Sequence, residues 1–97
     1  DRYDVEIQFS DGEIWEIDAK AYRNPIALRT KIQNDNGFPE GEYTRGYFVI
    51  PSEYTVNQRN YTAIINRILE NQKNVRCVTL KSLKTEITRK EDSCHEE

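Results

Sequence analysis

A chain of 97 residues makes one small domain, near the lower end of what can bury a self-sufficient core. With 36% hydrophobic and 32% charged residues it has the composition expected of a soluble globular protein, and no apolar run approaches the length of a membrane span. The net charge of −3 does not advertise a nucleic-acid binder, although the last nine residues alone carry four acids against two bases.

The first element predicted is a β-hairpin from Asp4 to Lys20. Asp4, Glu6 and Gln8 alternate with Val5, Ile7 and Phe9, the period of a half-buried strand. Ser10-Asp11-Gly12 is turn chemistry, and Gly12 supplies the positive φ that a three-residue loop needs. In the second strand Trp15, Ile17 and Ala19 share one face, and Ile14, Glu16, Asp18 and Lys20 the other. Trp15 is therefore expected in the core. A three-residue loop opposes Phe9 to Glu13, which sets Gln8 against Ile14, Glu6 against Glu16 and Asp4 against Asp18. Opposed residues have Cβ atoms about 4.5–5.5 Å apart. Two carboxylates held so close repel unless a divalent cation, a shared proton or a nearby lysine intervenes.

Further elements follow in alternation. Asn24-Pro25 is a helix start, with Asn as N-cap and Pro at the first helical position. Ile26, Leu28 and Ile32 have loosely helical spacing, and Asn36-Gly37 should end the helix. Phe38 to Arg45 reads as a polar loop, free to move or to meet a partner. GYFVI, residues 46–50, suits a buried central strand closed by Pro51. A second helix is expected from about Asn57 or Asn60 to Asn71, with Tyr61, Ile64, Ile65, Ile68 and Leu69 in one stripe. Asn74 to Leu80 reads as a strand and Ser82 to Thr88 as a short helix, before a disordered polar tail. Cys77 falls in an apolar strand, Cys94 in the tail, and no CxxC spacing joins them, so a reduced, cytoplasmic setting is expected.

The fold class expected is α/β, in the form of an α+β mixed sheet of order β-β-α-β-α-β. A β-grasp domain, which also opens with a hairpin and a helix, is the rival. On one face of the hairpin the chemistry is specific. Asp4 and Asp18 are hard oxygen donors suited to Mg²⁺ or Mn²⁺, which would keep waters and a substrate phosphate in its other positions. Lys20 lies on the face of Asp18 and could position water or stabilise developing negative charge. The plainer reading is a solvated sheet face with a surface Lys–Asp pair. Glu16, with Glu6 opposite, is a candidate accessory acid, set against simple solvation. Arg29 and Lys31 are candidates for a phosphate contact, set against an exposed helix face.

Asp4, a hairpin and then Asp18-Ala19-Lys20 resemble the PD-(D/E)XK nuclease superfamily, the restriction-endonuclease-like fold. The resemblance covers roughly residues 3–80, with Tyr3 where the motif has proline. It implies that Asp4 and Asp18 bind the metal, that the Ala19 backbone carbonyl is a further ligand, and that Lys20 is catalytic. That family core has a helix and a strand before Asp4, and the chain, opening on Asp1, is expected to be a fragment. Residues 1–88 would be a nuclease-like domain and 89–97 a polar tail. Within the superfamily, WEIDAKAYRNPIALR is similar to restriction-endonuclease-like proteins encoded beside prokaryotic PIWI proteins. The function implied is a Mg²⁺-dependent DNA endonuclease in prokaryotic defence or DNA processing, with DNA, protein partners and a homodimer as its associations and no membrane. The alternative is a non-catalytic interaction module, either β-grasp-like or an inactive nuclease fold.

Overall fold

The computed structural model describes residues 4–95. Strands β1 (Val5–Gln8) and β2 (Ile14–Ala19) form the hairpin, followed by α1 (Pro25–Asn34), β3 (Arg45–Ile50), α2 (Tyr61–Ile68), β4 (Val75–Thr79) and α3 (Leu80–His95). They make an α+β domain with a mixed four-stranded sheet in the order β1-β2-β3-β4. β1 is antiparallel to β2, whereas β2, β3 and β4 run parallel.

The hairpin register is the one that the loop length implies, with Glu6 opposite Glu16 and Gln8 opposite Ile14. Gly12 has φ +96°, as the turn requires. Trp15 is buried at 1% exposure, and its ring packs edge-on to Phe9 and against Tyr47.

Two crossovers of one hand that advance the strands in one direction put α1 and α2 on the same side of the sheet. Leu28 and Ile32 of α1 and Tyr61, Ile65 and Leu69 of α2 there cover Phe48, Ile50, Val75 and Cys77. Ile26 is largely exposed, because it lies about 200° around the helix from Leu28. α1 begins as its sequence indicates: the Asn24 side chain accepts the Ile26 N–H at 2.8 Å and Pro25 opens the helix. It ends through Asn36 (φ +61°) and Gly37 (φ +89°), whose N–H bonds the Ile32 carbonyl at 2.8 Å. The Cys77 thiol is a core group, and burial pushes it up to about 12.

Three features depart from the sequence reading. Phe38 is not part of a polar loop but is 2% exposed, edge-on to Phe48 and Tyr43. Its backbone is clasped by Gln72, which accepts its N–H at 2.8 Å and donates to its carbonyl at 3.1 Å. A 3₁₀ turn, Ser52–Thr55, intervenes after β3, and α2 is shorter than its apolar stripe suggests. The short helix expected at Ser82–Thr88 is the middle of α3, which continues through the expected polar tail as far as His95. Leu83 and Ile87 pack it against Trp15, Ile17, Tyr47, Val49 and Val78 on the second sheet face. Lys90 ties its later half to the hairpin by ion pairs with Asp11 and Glu13.

Candidate active site

The end of β2 gathers the acids and the lysine. Asp4 stands in the bend just before β1, where its N–H bonds the Ile17 carbonyl at 3.0 Å. Its Oδ2 accepts the Ala19 N–H at 2.7 Å, which fixes the carboxylate beside β2. Asp18 lies under the α1–α2 layer at 9% exposure, opposite Phe48 on β3. Lys20 continues the parallel ladder, its N–H bonding the Val49 carbonyl at 2.8 Å, and its Nζ stands 3.5 Å from Asp18 Oδ2. Burial raises the Asp18 carboxyl above its ordinary range; Lys20 opposes that rise and the Asp4 carboxylate adds to it. Asp4, Asp18 and Lys20, read from the sequence as one constellation, are thus brought together at the end of β2.

Asp18 and Lys20 open onto a cleft of about 340 Å³ that is walled on the other side by α1 and the segment after it. Lys31 and Asp35 project into it from α1, joined by an ion pair of 3.1 Å, and Gly37, Pro39 and Phe48 complete the wall. Sequence reasoning misses Asp35; its signal is the four-residue helical spacing from Lys31. Arg29 is not among the cleft residues, since it is turned about 200° around α1 from Lys31.

Glu16 and Glu6 form a second acidic pair two residues further from the cleft. Glu16 is only 4% exposed, so it is not a solvated surface acid. It lies between Glu6 on β1 and Gly46 on β3, and the Phe38 ring sits over Gly46. Burial, the hydrogen bond with Glu6 and Glu6's charge together raise Glu16 to about 7, while Glu6 is lowered by the same shared hydrogen bond. Among the described residues Glu16 Oε2 is buried without a hydrogen-bond partner.

Among the described residues no group of three or more His, Cys, Asp or Glu side chains is placed to hold a metal ion. The donor set at the cleft is smaller and of the hard type: the carboxylates of Asp4 and Asp18, with the backbone of Ala19 between them. An ion such as Mg²⁺, which retains several waters, needs no more than one or two protein carboxylates. The Asp18 carboxyl is raised chiefly by burial, with a smaller contribution from the Asp4 carboxylate beside it. Two carboxylates and a backbone carbonyl are donors of the chemical type that a divalent cation takes.

No curated protein matches the chain. No solved structure matches it either. Residues 1–94 match the family model described as "REase associating with pPIWI_RE". A match over nearly the whole chain makes it a member of this pPIWI_RE-associated family of restriction-endonuclease-like domains.

Proposed function

We propose that this chain is a Mg²⁺- or Mn²⁺-dependent DNA endonuclease domain that works with a pPIWI_RE protein in prokaryotic defence. The observation that carries the reading is the meeting of Asp4, Asp18 and Lys20 at the end of β2, where Asp18 and Lys20 open onto one cleft. Asp4 and Asp18 are the residues that would hold the metal. The Ala19 N–H already points at Asp4, and extended backbone sends its carbonyl to the same side, as a third oxygen donor. When bound, the metal lowers the pKa of a coordinated water and offsets charge on the phosphate.

Lys20 does the remaining work at the phosphorus. Water adds its oxygen to phosphorus and gives up a proton to bulk water, the bond from phosphorus to the leaving sugar oxygen breaks, and that oxygen takes up a proton from bulk water, so one water is consumed for each bond cut. The Lys20 ammonium, kept in place by Asp18, orients the water and stabilises the negative charge that builds on the non-bridging oxygens. Lys31, on the opposite wall, is positioned to meet a neighbouring DNA phosphate, and Arg29 serves at most as an outer contact. Glu16 and Glu6 act as accessory acids, since they lie on the same sheet face one step behind the metal ligands. A homodimer is compatible with this reading but not required by it.

The test is cleavage by the full-length protein with its pPIWI_RE partner. Lys20→Ala should reduce cleavage far more than DNA binding, because its contribution is made in the transition state. Asp18→Ala should abolish the metal-dependent reaction. Equal background nicking by wild type and both variants would replace the nuclease with a non-catalytic interaction module.

A further inference from the structure

The sheet face opposite the candidate active site carries a cleft of different chemistry. It encloses about 480 Å³ and is lined by Trp15, Arg45, Arg76, Glu86, Arg89 and Lys90. Lys90 is already matched by Asp11 and Glu13. Among the described residues the other three cations have one carboxylate within ion-pair distance, Glu86, with Glu13 acting on Arg45 from further away. Glu86 Oε1 is 3.7 Å from Arg45 and Oε2 is 4.0 Å from Arg76, while Arg89 makes no such pair among the described residues. The arrangement is built: the Tyr47 hydroxyl donates to Glu86 at 2.7 Å and accepts from Arg45 at 3.2 Å. The Arg45 guanidinium lies 4.7 Å over the Trp15 ring. Two guanidiniums are therefore held toward solvent with charge to spare, their side chains 44% and 62% exposed. On α3 the Arg89 side of the cleft runs into a groove that also includes Lys84, Thr85 and Thr88.

We infer that Arg45, Arg76 and Arg89 form a phosphate-binding cleft that grips a nucleic-acid backbone away from the point of cleavage. Planar guanidiniums match phosphate oxygens in pairs, and the threonine hydroxyls beside them are further donors. An acidic protein is the less fitting occupant. Protein partners need an apolar centre, whereas the one large apolar lining residue here, Trp15, is buried and capped by Arg45. None of the exposed large apolar side chains, Val5, Ile26, Val56 and Leu80, belongs to the cleft. A polar, cationic and wet surface is the nucleic-acid type. Arg45 pairs with Trp15, three residues before Asp18, so the cleft lies about 10 Å along the sheet from the candidate site and on the other face. It cannot touch the phosphate at Asp18 and Lys20, and it meets the backbone elsewhere. The nuclease reading enters only in the choice of DNA as the polyanion, and binding can be measured apart from cleavage.

The experiment is fluorescence anisotropy of a fluorescein-labelled DNA oligonucleotide with the full chain, in EDTA, over a salt series starting at about 50 mM. Arg76→Glu/Arg89→Glu should weaken binding at least tenfold and lower the salt slope by about 2, one for each phosphate that no longer meets a guanidinium. Arg76→Gln/Arg89→Gln, free of repulsion with Glu86, should act in the same direction by less, and melting curves check that both pairs fold. Arg67→Glu/Lys81→Glu makes the same charge change outside the cleft and should cost much less. Equal loss in that control, unchanged binding in the cleft variants, or no binding by wild type would overturn the assignment. Competition by poly-glutamate at equal charge as effective as by unlabelled DNA would also overturn it, in favour of an acidic protein. Cleavage is read separately in Mg²⁺: if Asp18→Ala cuts as well as wild type, the nuclease reading fails while the cleft stands.

Discussion

Replacement of Glu16 by glutamine should turn a pH-dependent liability into a neutral contact. The folded-state carboxyl titrates at about 7 against 4.5 for the ordinary group, because it is buried between Glu6 and Gly46. A raised carboxyl binds its proton more tightly in the folded state, so its contribution is fully present below about pH 4.5 and is lost as pH rises through about 7. At 1.36 kcal/mol per unit, the shift corresponds to about 3 kcal/mol over its whole range, of which about 2 is lost between pH 5 and pH 8. Glu16→Gln cannot ionise. Relative to wild type it should therefore gain about 2 kcal/mol between pH 5 and pH 8, whatever its absolute stability. Urea denaturation of both proteins at the two pH values, in EDTA, measures the difference; titrating groups other than Glu6, whose own shift depends on Glu16, cancel in the comparison. A stability difference between variant and wild type that is the same at both pH values would refute the reasoning and place Glu16 in contact with water or a fixed cation.

Three further outcomes are expected. Millimolar Mg²⁺ or Mn²⁺ should raise the melting temperature of the wild type through binding to the folded state, and Asp18→Asn should abolish the increase; a mutant that still responds would place the ion elsewhere. Gly46→Ala should destabilise by about 1–3 kcal/mol in chemical denaturation, since a Cβ there would stand 2.7 Å from the Phe38 ring. Asn66 accepts the Cys77 N–H at 2.7 Å and donates to its carbonyl at 3.0 Å. Asn66→Ala should therefore cost about 2 kcal/mol in the same assay by leaving both backbone groups of the outer strand unpaired, and should speed amide exchange at Cys77.

The topology explains how so small a domain can place two unlike surfaces. Parallel strands β2, β3 and β4 carry α1 and α2 on one face, and α1 with the segment after it walls a cleft beside Asp18. α3 starts directly after β4 with no intervening loop and crosses to the other face. Its Glu86 there organises Arg45 and Arg76, which belong to two different strands.

Local signals are enough for the hairpin. Period-two alternation on both sides of a Gly-containing turn sets the register without help from the rest of the chain, so the face shared by Asp4, Asp18 and Lys20 can be read directly. The Asn24-Pro25 helix start and the apolar GYFVI strand are legible for the same reason, since each depends on a few adjacent residues. What lies beyond the sequence depends on contacts between distant segments. Phe38 looks like part of a polar loop until Gln72, 34 positions later, clasps its backbone and Gly46 gives its ring room. The reach of α3 to His95 looks unsupported in a polar segment until Lys90 meets Asp11 and Glu13, 79 positions earlier in the case of Asp11. Glu16 has the alternation of a solvated residue. It is buried once β2 pairs with β3, because the face that a strand exposes as a hairpin can be covered when a third strand and the segments packed on it are in place.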